Sequence, residues 1–286
     1  MKRLSKLFIN LFAVLMLVVA CLSFSACGKD IKTLQLKLEI YDYENNCTYA
    51  ESDVEMNIDL YRHLAPNTVD KIIEYVNDGY YNDTVFYRIK DKSAQIMLGD
   101  LKYDGEDVTL NAIKPMLDGE FENGGTIGSN LKNVKGAIGL WRTWTAYDGD
   151  EYYKTSTSVD TGRSALYIPT NEITSYDSWF CVLGSLDLED ESTETALTAI
   201  IDAFGENGEY KEFEVYYTGE YDESKPNENF GLEFHCVPVA DFDEDVEGLF
   251  EAEGTEYVCY NHYTIQIPVT GVSGKVATRV ISAKVI

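Results

Sequence analysis

Leu34, Leu36, Leu38 and Ile40 alternate with polar residues, and Val54, Met56, Ile58 and Leu60 repeat the pattern. A period of two puts each apolar set on one face, so both segments are predicted as half-buried strands paired with each other. Pro66 then stands near a helix start, with Val69, Ile72, Ile73 and Val76 at i, i+3, i+4 and i+7 before Gly79 stops the turn. That spacing predicts one amphipathic helix. Leu197, Ile200, Ile201 and Phe204 predict a second, ended by Gly205. Further strand-like runs are Thr84 to Ile89, Gln95 to Leu98, Ala137 to Leu140, Ala165 to Ile168 and Phe180 to Leu186. Many short strands with only two helices predict a mainly β fold: a closed antiparallel barrel capped at its ends by the helices.

From Glu206 to about Asn261 the chain turns Gly- and acid-rich, with apolar patches at Phe213 to Tyr217 and Leu232 to Val239. This segment, about 206–261, reads as an insertion or satellite β element. Strand character returns at Tyr263 to Pro268 and Lys275 to Ile286, which could close the barrel against the first strands. No internal repeat of fixed period is visible.

The N-terminus changes the picture of where this domain works. Lys2, Arg3 and Lys6 precede an apolar run from Leu7 through Phe24, broken only by Asn10 and Ser23, which is the layout of a secretory signal. The following Phe24-Ser25-Ala26-Cys27-Gly28 resembles the lipobox of bacterial lipoproteins, with Phe24 where Leu is usual. The expectation is a signal peptide over 1–26, a lipidated Cys27, a linker over 27–33 and a folded domain over 34–286, held on the extracytoplasmic face of the cell membrane. An uncleaved membrane anchor is the alternative, since the run approaches the roughly 18 residues that span a bilayer.

The formal charge is −26, and removing residues 1–26 takes away three basic and no acidic side chains, leaving −29. So acidic a body excludes nucleic acid as a partner and does not adhere unaided to anionic lipid. The lipid anchor is then its route to the membrane. Cys47, Cys181, Cys236 and Cys259 contain no C-x-x-C pair, so neither a zinc knuckle nor a thioredoxin-like site is supported. Cys181 sits in an apolar run and reads as a core residue, whereas Cys236 and Cys259 could pair in an oxidising exterior. His63, His235 and His262 are scattered without metal-ligand spacing. Asp241 to Glu247 is acid-rich, but Val246 stands where a calcium loop needs glycine and Ala252 stands at position twelve. No metal and no cofactor is expected.

Ala65-Pro66-Asn67-Thr68-Val69, followed by Gly79-Tyr80-Tyr81 and Phe86-Tyr87-Arg88, resembles the most recognisable stretch of the cyclophilins, in which an Ala-Pro-x-Thr-Val helix leads through Gly-Tyr-Tyr to Phe-His-Arg. Leu98-Gly99-Asp100 is similar to the end of that family's Gln-Gly-Gly-Asp, Glu120-Phe121 to its Glu-Phe, and Gly136 to Leu140 to its Gly-x-Leu-Ser-Met strand. Ser164 to Ile168 resembles Ser-Gln-Phe-Phe-Ile, and Tyr176-Asp177 through Val182-Leu183-Gly184 resembles Leu-Asp through Val-Phe-Gly. The resemblance covers about 34–204 and the final strands. It implies a peptidyl-prolyl cis-trans isomerase acting on proline-containing exported polypeptides. The barrier to rotation about an X-Pro bond is about 18 to 20 kcal/mol, and no nucleophile, metal or redox cofactor is needed to lower it.

By the same resemblance Arg88 is the catalytic arginine, donating a hydrogen bond towards the prolyl nitrogen as the amide twists, an interaction strongest in the twisted state. Met97, Tyr167, Tyr176 and Phe180 fall on or near the substrate pocket, with Tyr87 beside the arginine and Trp141 at the rim. Several positions depart from the family's pattern. Its histidine before the arginine is Tyr87, its two substrate-orienting glutamines are Met97 and Ala165, and its late pocket histidine is Phe180. Each lost hydrogen bond costs about 1 to 3 kcal/mol, roughly five- to 150-fold in rate. A weakened isomerase is one expectation, and a non-catalytic peptide-binding module is the other. Trp141, Arg142 and Trp144 could grip a peptide or form a buried aromatic cluster.

Overall fold

The computed structural model describes residues 30–43, 47–48, 54–90, 92, 94–121, 131–142, 145–148, 151–154, 162–205, 208–218, 233–242, 260–270 and 275–286. The proposed signal peptide, Cys27, Trp144 and Cys259 lie outside these. The first part holds strands β1 (Ile31–Asp42), β2 (Cys47–Thr48) and β3 (Glu55–Tyr61), helix α1 (Pro66–Asn77), and strands β4 (Arg88–Ile89), β5 (Gln95–Leu98), β6 (Leu101–Tyr103) and β7 (Val108–Leu110). Next come β8 (Ala137–Leu140), β9 (Thr145–Asp148), β10 (Glu151–Lys154), β11 (Leu166–Pro169), β12 (Val182–Leu186) and helix α2 (Glu191–Ala203). The chain ends with β13 (Glu209–Thr218), β14 (Glu233–Pro238), β15 (Tyr260–Val269) and β16 (Thr278–Val285).

The predicted alternation is what β1 and β3 show. Leu34, Leu36, Leu38 and Ile40 point inward from β1 and Met56, Ile58 and Leu60 from β3, with Leu34 opposite Ile58 and Leu36 opposite Met56. These side chains form the barrel's core with Val69, Ile72 and Val76 of α1, and Leu197 and Ile200 of α2. Both helices are fixed at their N-termini by a carboxylate. Ala65 precedes α1 and cannot cap it, so the buried Glu120 reaches in, accepting from Asn67 N at 3.2 Å and Thr68 N at 2.7 Å. Asp190 caps α2 by accepting from Thr193 N at 3.1 Å.

The main sheet is antiparallel and curls in the order β16-β1-β3-β12-β8-β11-β5. It does not close as a continuous ladder, which corrects the closed barrel expected from sequence. Between β5 and β16 the gap is spanned by the Thr84–Arg88 stretch through isolated bridges, Tyr87 with Met97 and Val85 with Arg279. Tyr87 and Met97 exchange two backbone hydrogen bonds of 3.0 and 2.7 Å, and Val280 N donates to Thr84 O at 2.8 Å. The ladder fails to continue because this stretch leaves the barrel: β4 pairs with β15 instead, Ile89 opposite Ile265.

A second sheet, β14-β13-β15-β4, is the satellite element. Of the two C-terminal segments expected to close the barrel, only β16 pairs with β1, while β15 runs beside β13 in the satellite sheet. Its inward residues Phe213, Val215, Ile265 and Ile267 share one buried cluster with Val85, Tyr87, Ile89 and Met97 from the outer face of the barrel. Hairpins β6–β7 and β9–β10 were not marked by the apolar pattern. Among the described residues no helix is long and apolar enough to cross a membrane.

Candidate functional site

Strand β5 places Met97 and β11 places Tyr167, directly opposite each other, and β8 sets Gly139 on the other side of Tyr167. A Cβ on Gly139 would lie 2.1 Å from the Tyr167 ring, so this ring lies flat across a position where only glycine fits. The Tyr167 hydroxyl donates to Asn133 Oδ1, and Asn133 in turn donates from N and Nδ2 to Asp177 Oδ1 at 2.9 and 3.1 Å. Tyr176 and Phe180 come from the turn that follows β11 and stack at 4.4 Å between centroids, tilted by 24°. Tyr167 meets both edge-on, at 5.8 and 5.5 Å. Such edge-to-face and offset pairs satisfy the ring quadrupoles as well as burying area.

Trp141 completes the group. Its indole lies 6.2 Å from Tyr167, 6.2 Å from Tyr176 and 5.4 Å from Phe180, and it remains partly exposed where the others are buried. Tyr87, Met97, Tyr167 and Phe180 are each at most 1% exposed, and Trp141, like Trp179 and Tyr263, is a partly exposed ring packed against them. The Lys92 ammonium sits over the indole at 4.6 Å, and burial lowers its pKa from the usual lysine range. Arg142, next along the chain, is buried between the Phe121 and Phe180 rings at 4.8 and 5.3 Å and donates from Nε to Trp179 O at 2.7 Å.

Six of the seven residues singled out from sequence, Tyr87, Met97, Trp141, Tyr167, Tyr176 and Phe180, therefore belong to one packed assembly. Arg88 does not join them. Adjacent strand residues face opposite sides, so with Tyr87 turned into the cluster Arg88 turns out of it. Its Nε donates to Gln266 Oε1, its Nη1 donates to Phe204 O at 3.2 Å, and its guanidinium lies over the Phe204 and Tyr210 rings at 5.2 and 5.5 Å. There it ties the end of α2 to β4 and β15 of the satellite sheet. The Tyr87 hydroxyl instead donates to Asp100 Oδ2 at 2.9 Å, and burial pushes the Asp100 carboxyl from 3.8 up to about 6.

Two polar side chains at this face did not emerge from the sequence. Gln95 lies two residues before Met97 and so on the same face, buried among the rings, and Lys92 lies in the turn before β5. The period-two count that marks Gln95 as strand says nothing about which polar group the rings enclose. Cys181 is buried in the barrel core, and Cys236 of β14 is a free thiol.

The family model described as "Cyclophilin type peptidyl-prolyl cis-trans isomerase/CLD" matches residues 48–209, more than half of the chain. A stretch of 99 residues is 29% identical to peptidyl-prolyl cis-trans isomerase A of Dickeya dadantii (strain 3937), taking in 34% of this chain and 44% of that relative. The chain thus spans less than half the length of the curated relative it matches. Two crystal structures of a Cryptosporidium parvum cyclophilin type peptidyl-prolyl cis-trans isomerase are similar in fold. One, obtained in the presence of the dipeptide Ala-Pro, is 15% identical with a TM-score of 0.36, covering 57% of this chain and 84% of that one. The other is 13% identical with a TM-score of 0.40, covering 73% of this chain and 97% of that one. Superpositions this loose transfer no residue. The family match ends where β13 begins, leaving β14, β15 and nearly all of β13 outside it while β4 of the same sheet lies within it, and by its matched span the chain belongs to the cyclophilin-type peptidyl-prolyl cis-trans isomerase family.

Proposed function

We propose that the chain is a peptidyl-prolyl cis-trans isomerase of reduced turnover that binds proline-containing polypeptides at the aromatic assembly. The observation that carries this reading is the convergence of Met97, Tyr167, Tyr176 and Phe180, with Trp141 at its edge. An apolar ring assembly that opens to admit the pyrrolidine ring would withdraw the X-Pro amide from water, whose hydrogen bonds stabilise the planar ground state. Turnover is reduced because the guanidinium that would favour the twisted amide is engaged by Gln266 and Phe204. A protease-coupled assay with a proline peptide and the full chain tests this. Expected is a rate above the spontaneous one that Tyr176→Ala abolishes; no acceleration by wild type refutes the isomerase reading.

The engaged Arg88 favours a second reading, a binding module that retains the pocket and has lost catalysis. Peptide binding without acceleration would select it. For the location we propose lipid tethering through Cys27 on the extracytoplasmic face, supported by Lys2, Arg3 and Lys6 before the apolar run and by the acidic body that lipid would otherwise repel. Clients are then exported polypeptides. Mass spectrometry of the mature N-terminus tests it, and an intact Met1 on the membrane-bound protein refutes it.

A further inference from the structure

Gln95 is 1% exposed, and its amide is only half used. Nε2 lies 3.5 Å from Met97 Sδ and the side chain hydrogen-bonds the Tyr176 hydroxyl, while Oε1 has no hydrogen-bond partner among the described residues. A buried carbonyl oxygen without a donor is costly and rare in native proteins, and where one persists it calls for an explanation. Apart from the Tyr176 hydroxyl, which the amide already engages, the strand neighbours offer no donor. The side-chain neighbours along and across the strand are apolar: Met97 shares the face of Gln95, and the residue opposite Gln95 on β11 is Pro169, which has no N–H. The amide meets the ring assembly through Tyr176, whose own neighbour Trp141 is partly exposed.

We propose that Gln95 Oε1 is a substrate-binding acceptor that takes a backbone N–H of the bound peptide. This rests on the reading of the assembly as a prolyl-peptide site and names what orients the ligand there. The ligand is an extended peptide whose proline ring lies among the aromatic rings. Proline itself carries no N–H, so the donor is the amide of a residue flanking it, and the bond fixes where the X-Pro linkage sits relative to the rings. The strand position makes the amide suitable for the task, because β5 is paired on both sides, with β11 and with Tyr87, and holds the side chain in a fixed place.

The test is a cycle between protein and ligand, using the full chain, its Gln95→Met variant, a capped Ala-Ala-Pro-Ala peptide, and that peptide N-methylated in turn at the residue before and the residue after proline. Affinity and thermal midpoint are measured for each protein. Expected is that one of the two methylations weakens wild-type binding about tenfold and changes Gln95→Met binding less than twofold, and that Gln95→Met alone weakens the parent peptide by about the same factor. The thermal midpoint checks that Gln95→Met remains folded at the assay temperature, since the change also removes the hydrogen bond to Tyr176. Equal losses in both proteins, or unaltered affinity in Gln95→Met, would overturn the proposal while leaving the peptide site in place. If wild type binds no peptide, the site itself is refuted and the role of Gln95 with it.

Discussion

Replacing Arg88 by alanine separates two roles that its sequence context merges. In this fold the side chain makes two charge-assisted hydrogen bonds, to Phe204 O and Gln266 Oε1, and lies over two aromatic rings. A hydrogen bond from a charged donor contributes about 1.5 to 3 kcal/mol, and a cation–π contact at a partly exposed site about 0.5 to 1 kcal/mol. The contributions share one side chain and its ordering entropy, so the net loss on truncation is about 2 to 4 kcal/mol. That loss falls on the junction between β4, the end of α2 and the satellite sheet, not on the barrel. Native-state hydrogen exchange reads it directly: amides in β13 and β15 should exchange about 30- to 1,000-fold faster, while those of β1 and β3 change little. Any loss of isomerase activity should then follow the loosening of the sheet. A variant with unaltered exchange in β13 and β15 and a tenfold lower kcat/KM would refute the clamp and restore Arg88 to the chemistry.

Gly139→Ala places a methyl group 2.1 Å from the Tyr167 ring. It should cost about 1 to 3 kcal/mol by displacing that ring, and urea unfolding with near-ultraviolet circular dichroism will show both effects. Asp100 supplies a pH signature. Its folded pKa of about 6 exceeds its ordinary 3.8, so the native state holds this proton more tightly than the unfolded chain. The stability that follows is complete below about pH 4 and is lost as pH rises through 6, to a total of about 3 kcal/mol. Asp100→Asn keeps an acceptor for the Tyr87 hydroxyl and should flatten the stability profile between pH 4 and 6, measured by urea midpoints across that range.

What the sequence disclosed is what local chemistry writes into it. The alternation in β1 and β3 needs only one wet and one dry face, and the α1 spacing with Pro66 and Gly79 needs only a helix lying on that dry face. The aromatic assembly was legible because Tyr167, Tyr176 and Phe180 occupy positions recognisable in order along the chain. The direction of Arg88 was not, because it depends on the register of β4 against β15, a partner 178 residues away from Arg88 at Gln266. The open seam of the barrel has the same origin: the stretch expected to complete the ladder is claimed by a satellite sheet whose strands carry no mark of their destination. Glu120 looked like part of a motif, and only the fold shows it capping α1 across the chain. Gln95 escaped notice because one amide two residues from Met97 reads as an ordinary strand residue until the rings around it are seen.

The central claim is that prolyl peptides bind at the ring assembly on the outer face of the barrel. Met97 is a natural reporter, since it is fully buried in that assembly, while Met56 is fully buried in the barrel core. With methyl-labelled methionine in the full chain, titration of a proline peptide should shift the Met97 methyl resonance, through altered ring currents, and leave Met56 in place. A peptide that is bound or isomerised while Met97 stays unmoved would contradict the account.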